Sequence, residues 1–383
     1  MNKFKYYFVL LLAGIAIVSC NKKDDDNIEI TPPRDYAEQY KADNDSIVKY
    51  LKNNFIEVDT QTFDVKVSKI TDPATQVSIW DQKTYPLEYR DVYNRDVTYR
   101  VYYLTFRKGA GEAPCNFDSV NVSYVGSLLN GTEFDNSYGL GRDLNLDVYA
   151  AVSSLEGWGE IMPKFKTGVR SAVGADGTYT YSDYGAGMMF LPSGLGYYAN
   201  TQSAIPAYSP LVFSFKLYSL RRVDSEYNIT ANGRVVVGDG VPTYLEDING
   251  DGYVYDQRDT SRFPNLPKEL IDDTDGDGIA DFVDFDDDGD GYTTRFEITK
   301  PTGAPFSGIS LYYPYNPMPD NPDTKNVDES EIWGIPRRFT GPLVDPSKPE
   351  SATNPKTATV EDYTDPTRLR LHLDKNNHSG TGY

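Results

Sequence analysis

Histidine and cysteine are nearly absent from this chain, with two of each in 383 residues. Both histidines, His372 and His378, fall near the C-terminus, and no nucleophile motif stands beside them. That sets aside a hydrolase built on a histidine-activated nucleophile. The two cysteines, Cys20 and Cys115, sit in entirely different contexts. Basic residues are also in deficit: 37 Lys+Arg stand against 57 Asp+Glu, for a formal charge of −20. Nucleic acid as a partner is excluded on that ground, because its phosphates require cationic neutralisation. Long apolar runs are lacking too. The one candidate, Tyr6 to Val18, is shorter than the roughly 20 residues a membrane span needs. What the chain does have is tyrosine (31 residues) and an aromatic share of 13%, enough for a folded core despite the acidity. Its length suffices for two domains of about 100–200 residues each, with linkers.

The N-terminus begins with Met-Asn-Lys-Phe-Lys, continues through the apolar run and reaches Ser19-Cys20. A basic end, a short apolar centre and a small residue before a cut describe a secretory signal over residues 1–19. Ile17-Val18-Ser19-Cys20 resembles a bacterial lipobox, which implies cleavage before Cys20, lipid on its thiol and attachment to a membrane. Cys115 would then have no partner in the chain, and no internal disulfide is expected. Residues 20–34 read as a solvated acidic tether ending in Thr31-Pro32-Pro33. The run Asn21 to Asn27 is similar to the acidic signal of Bacteroidetes lipoproteins sent to the outer leaflet. The implied location is the bacterial outer membrane, facing either the periplasm or the exterior.

Residues 35–115 read as a small α+β region. Tyr36, Tyr40, Ile47 and Leu51 recur at near-helical spacing, whereas Phe63, Val65 and Val67, and then Tyr99 to Phe106, alternate as strands. The region could be an independent domain or an extension packed on the strands after residue 115.

Residues 116–222 carry an ordered series of fragments. Val120 to Gly126 alternates as a strand and leads to Asn130-Gly131 and Phe134-Asp135. Gly157-Trp158, Lys166-Thr167-Gly168 and Leu191-Pro192 through Tyr197 come next, then Ile205-Pro206 and the strand Leu211 to Leu220. Taken singly, Phe134 or Phe213 reads as core and Asp135 as a turn residue. In this order and spacing the series resembles the FKBP-type peptidyl-prolyl cis/trans isomerases over nearly the whole of their domain. The resemblance implies an antiparallel sheet wrapped on a short helix that contains Trp158. It also implies a pocket made of Tyr124, Phe134, Asp135, Trp158, Tyr197, Ile205 and Phe213, with the Leu155 N–H gripping the substrate. Three departures stand out: Leu144 or Leu146 replaces the expected phenylalanine, an insertion spans Ala175 to Gly187, and Tyr198 replaces the glycine after the loop tyrosine.

Residues 223–300 turn rich in Asp and Gly. Asp286, Asp288, Asp290, Gly291, Tyr292, Thr294 and Glu297 fit a twelve-residue EF-hand loop, with carboxylates at positions 1, 3 and 5, a carbonyl at 7 and a bidentate acid at 12. Just upstream, Asp273, Asp275, Asp277, Gly278, Ile279, Asp281 and Asp284 repeat the scheme. Loops that abut with so little room for flanking helices resemble thrombospondin type 3 repeats, which implies structural Ca²⁺. A third loop, Asp247-x-Asn249-x-Asp251-Gly252-Tyr253, has Arg258 where the last acid belongs and requires a substitute such as Asp256 or Asp259. Residues 301–383 read as a Pro-rich extended tail, with Leu369, Leu371 and Leu373 alternating as one possible strand.

The expectation is an α+β protein: an FKBP-like sheet with an N-terminal α+β extension and a calcium-loop segment after it. Its work would be isomerisation of X-Pro bonds in proline-containing segments of envelope or surface proteins. The altered loops leave a second reading open, a calcium-stiffened surface binding protein on a catalytically weak scaffold.

Overall fold

The computed structural model describes residues 32–231, 233–301, 310–314, 333–351 and 353–377. The signal-like segment 1–19 and Cys20 lie outside them. Helix α1 (Tyr36–Asn53) opens at Asp35, whose carboxylate accepts the N–H groups of Ala37 and Glu38. Strands β1 (Asn54–Val58) and β2 (Val65–Lys69) pair as a two-stranded ribbon. The main sheet then draws on β3 (Leu87–Asn94), β4 (Val97–Arg107), β5 (Ser119–Leu128), β6 (Glu133–Asn136) and β7 (Arg142–Asn145). Helix α2 (Glu156–Ile161) and the short hairpin β8 (Val169–Arg170) and β9 (Tyr181–Ser182) precede the long strands β10 (Gly185–Leu191) and β11 (Leu211–Arg221).

The seven-stranded sheet runs β3-β4-β10-β11-β5-β6, with β7 also paired to β5, and every pairing is antiparallel. Two of these strands come from residues 35–115, so that region extends the sheet and is continuous with the strands after it. From Asp35 onward the chain forms one compact unit.

All seven residues of β10 are buried, which requires both faces of the sheet to be covered. On one face Met189 and Leu191 pack with Phe213, Phe215, Trp158 and Ile161 around α2. On the other, Met188 and Phe190 meet Ile47, Tyr50 and Leu51 of α1. Helix α2 approaches β10 closely because it carries Gly157: a Cβ there would stand 1.9 Å from Leu191 Cδ1. The insertion at 175–187 is accommodated by the β8–β9 hairpin at the edge of the molecule, where Tyr181 stacks on Tyr218.

After β11 come the hairpin β12 (Tyr227–Thr230) and β13 (Gly233–Val236), then the acidic loops, which end in the one-turn helix α3 (Thr294–Glu297). These loops pack against the sheet's support. Tyr253 donates its hydroxyl to the Glu160 carbonyl of α2 at 2.9 Å, and the Arg90 guanidinium lies 3.2 Å from the Tyr253 ring centre. The C-terminal region differs from its sequence reading. Leu371–Leu373 form a 3-10 turn and not a strand, and Leu371 and His372 are buried. The one-turn helix α4 (Glu361–Thr364) places Tyr363 in a cluster with Leu371, Val241, Ile298 and Ile335. The described parts of the tail are therefore folded onto the acidic segment and are not merely extended.

Candidate active site

Strand β11 and helix α2 bring the expected pocket residues together. Phe213 is the centre of an aromatic cup: its ring lies 5.0 Å from Trp158, 5.6 Å from Phe134 and 6.1 Å from Tyr124. Tyr124 meets Trp158 edge-on at 5.6 Å. Trp158, Ile205 and Phe213 are buried, whereas Tyr124, Phe134 and Tyr197 are partly open. Such contacts between rings favour a fixed, dry wall.

The polar rim of the cup is small. Tyr124 donates its hydroxyl to Asp135 Oδ2 at 2.5 Å, and burial together with that carboxylate pushes the phenol up to about 12. Tyr197 is held above its ordinary value by burial and then by the charge of Asp135. Leu155 is the residue before α2, and its N–H donates to no acceptor among the described residues. Leu144 packs on the cup's core and Leu146 is buried within it.

Three further features support the cup. Gly126 sits between two walls of the cup, and a Cβ on it would fall 2.6 Å from Phe134 Cε2 and 2.8 Å from Phe213 Cε1. Tyr198 takes the left-handed conformation (φ 49°) that a glycine would adopt without strain. It is held there by stacking on Tyr36 of α1, with ring centres 4.2 Å apart, and by an edge contact with Tyr208. Asp43 of α1, also buried, accepts the N–H of Ser193 at 2.8 Å and its hydroxyl at 2.6 Å. The N-terminal helix thus pins both ends of the segment 193–198 that carries Tyr197. A wide groove lined by Tyr50, Lys69, Val77 and Asp81 opens on the other face of the sheet and includes none of the cup residues.

The acidic loops form a second constellation. Gly252, Gly278 and Gly291 all have φ near +90° (90°, 99° and 91°), so the three loops make the same sharp turn at the same position. One carboxylate oxygen each of Asp286, Asp288 and Asp290 gather within 4.8 Å of one another, and Asp273, Asp275 and Asp277 do likewise. Glu297 is fully buried with both oxygens unpartnered. Burial, followed by the charges of Asp288, Asp290 and Asp286, pushes it up to about 9. An orphaned carboxylate aimed at three others suits a hard cation bound through oxygen. Thr294 begins α3, and Tyr292 stacks on Phe296. In the upstream loop the Ile279 carbonyl accepts no hydrogen bond among the described residues. Asp284 faces Asp277 and Asp275, while both oxygens of Asp281 are engaged by Thr274, at 2.7 and 2.6 Å. In the third loop Arg258 is bound to Asp256, and Asp259 to Ser261 and Arg262. The acid facing Asp247 and Asp251 is instead Asp272, which is buried with one free oxygen and raised to about 7 by burial and by Asp247. It lies well outside the twelve-residue frame, where loop spacing could not reveal it.

Residues 111–218 match the family described as FKBP-type peptidyl-prolyl cis-trans isomerase, and residues 238–326 match one described as BamM C-terminal. The isomerase FkpA of Escherichia coli K12 is 27% identical over 176 residues, 45% of this chain and 58% of that protein. FkpA of Buchnera aphidicola from Acyrthosiphon pisum is 33% identical over 115 residues, 30% of this chain and 40% of the relative. The chain thus spans less than two thirds of the length of either relative. The crystal structure of Escherichia coli FkpA is 20% identical, covering 58% of this chain and 74% of that one, with a TM-score of 0.27. That score is too low to add to the domain's own geometry. The ordered motifs, the aromatic cup and the family match coincide over one stretch of sequence, and over residues 111–218 this chain carries an FKBP-type peptidyl-prolyl cis-trans isomerase domain.

Proposed function

We propose that the protein catalyses cis/trans isomerisation of X-Pro bonds in envelope or surface proteins. The observation that carries this reading is the cup around Phe213, closed by Trp158, Phe134 and Tyr124 and rimmed by Asp135. Rotation about the amide faces a barrier of about 18–20 kcal/mol because resonance is lost at the twisted state. The twisted amide is less polar than the planar one, so a dry aromatic wall favours it over the ground state. Phe134, Ile205 and Phe213 would hold the proline ring over Trp158. The Leu155 N–H and the Tyr197 hydroxyl would each hold a substrate carbonyl, and Asp135 would orient Tyr124. No covalent intermediate is needed.

In the same reading Ca²⁺ occupies the loops at 273–284 and 286–297 as a structural ion, held by their carboxylates, the Ile279 and Tyr292 carbonyls and Glu297. Extracellular sites of this kind bind at about 10⁻⁴–10⁻³ M. The lipid on Cys20 would tether the protein to the outer membrane. Among the described residues no helix is long and apolar enough to cross one.

The test is isomerisation of X-Pro peptides by the mature chain, in calcium and in chelator. Phe134→Ala and Asp135→Ala should each lower kcat/KM by about 10-fold or more, which is at least about 1.4 kcal/mol of transition-state stabilisation, and leave calcium binding intact. Parent activity in both variants removes the site assignment. Peptide binding without turnover in the parent favours the scaffold reading.

A further inference from the structure

Five carboxylates that hold no ligand position in the loops converge between the end of the sheet and the second loop. They are Asp224, Glu226, Asp239, Glu246 and Asp287, and they form two triads that share Asp239. Within each triad one oxygen from every residue lies within 4.8 Å of the others. Glu226 is 0% exposed, and Asp239, Glu246 and Asp287 are each 1% exposed.

Their hydrogen bonding is incomplete in a directed way. Backbone N–H groups satisfy one oxygen each of Glu226 (from Asp239, 3.1 Å), Asp224 (from Gly240, 3.0 Å) and Asp239 (from Val241, 2.8 Å). The other oxygen of each, and both oxygens of Glu246 and Asp287, have no hydrogen-bond partner. Arg295 reaches the group only at its rim, donating to the Gly238 and Asp239 carbonyls at 3.5 and 3.4 Å. Burying even one unpaired carboxylate costs several kcal/mol.

We propose that these five residues form a buried divalent-cation centre, bridged by Asp239 and filled by calcium. The donor set is all oxygen, with no histidine or thiol, as a hard cation prefers. Calcium, which accepts six to eight oxygen ligands at about 2.3–2.6 Å in flexible geometry, suits an all-carboxylate cage better than magnesium, which keeps several of its waters. The placement gives the centre a purpose the loops lack. Asp224 and Glu226 directly follow β11, which ends at Arg221, while Glu246 and Asp287 belong to the acidic segment. An ion here joins the isomerase sheet to that segment.

The experiment compares the full mature chain with its Glu246→Gln variant in calcium chloride and in chelator, reading bound calcium by equilibrium dialysis and Tm by calorimetry. Removing one buried negative charge relieves repulsion where no ion is bound and removes a ligand where one is. The variant should therefore melt above the parent in chelator and below it in calcium, with fewer ions bound per chain. Asp224→Asn, at the partly open rim, should reproduce this pattern and serves if Glu246→Gln fails to fold. An unchanged calcium count, or a Tm raised equally in both media, overturns the proposal and assigns the cluster to protonated carboxyls.

Discussion

Replacing Asp43 by alanine probes how the N-terminal helix supports the loop that carries Tyr197. The side chain is 1% exposed and accepts hydrogen bonds from the N–H and hydroxyl of Ser193 and from the Gln39 amide, the last at 2.6 Å. Alanine leaves the Ser193 N–H, itself buried, without this acceptor, and an unsatisfied buried donor costs about 1–3 kcal/mol. The hydroxyl and the Gln39 amide add to that loss, and the removed desolvation of a buried carboxylate offsets part of it. A net destabilisation of about 2–4 kcal/mol is expected, a large share of a typical total of about 5–15 kcal/mol. Asp43→Asn keeps one acceptor oxygen and should recover roughly half of it. Since the same loop carries Tyr197, kcat/KM should also fall, by about 10-fold. Urea unfolding followed by the peptide assay reads both quantities. A change below about 0.5 kcal/mol together with parent turnover would refute the idea that α1 holds the loop.

Gly126→Ala should force the Phe134 and Phe213 ring edges apart, lowering stability by about 1–3 kcal/mol and turnover with it, while calcium affinity stays at the parent value. Chelation should cost amide protection across residues 247–297 and leave β5, β10 and β11 protected, as hydrogen exchange will report. His372 is buried and, through burial and the charge of Arg370, lowered from 6.5 to about 3. The unfolded chain therefore takes up that proton first. Its contribution is complete above about pH 6.5 and is lost as pH falls towards 3, at up to about 1.4 kcal/mol per unit. In saturating calcium, His372→Leu should flatten that part of the stability profile.

How much was legible in the sequence varies by element. Helix α1, strands β4, β5 and β11, and the sharp loop turns are readable from spacing, because each depends on side-chain period or on a glycine within a few residues. The alternation of Leu369, Leu371 and Leu373 failed as a strand signal. Leu369 is exposed and lies outside the 3-10 turn, and the residues buried in the turn are the adjacent Leu371 and His372, which a strand would send to opposite faces.

The sequence by itself determined the order of the pocket motifs and the Asp/Gly frame of each acidic loop, since those are matters of residue type at fixed offsets. Only the tertiary structure decided that α1 covers the back of the sheet and clasps the loop of Tyr197, through Asp43 and Ser193, which are 150 residues apart. It alone brought Asp272 to the third loop and gathered Asp224, Glu226, Asp239, Glu246 and Asp287 into one place. Contacts of that kind arise when distant segments close on a shared core. No local period encodes them, because the partners sit on segments separated in the sequence.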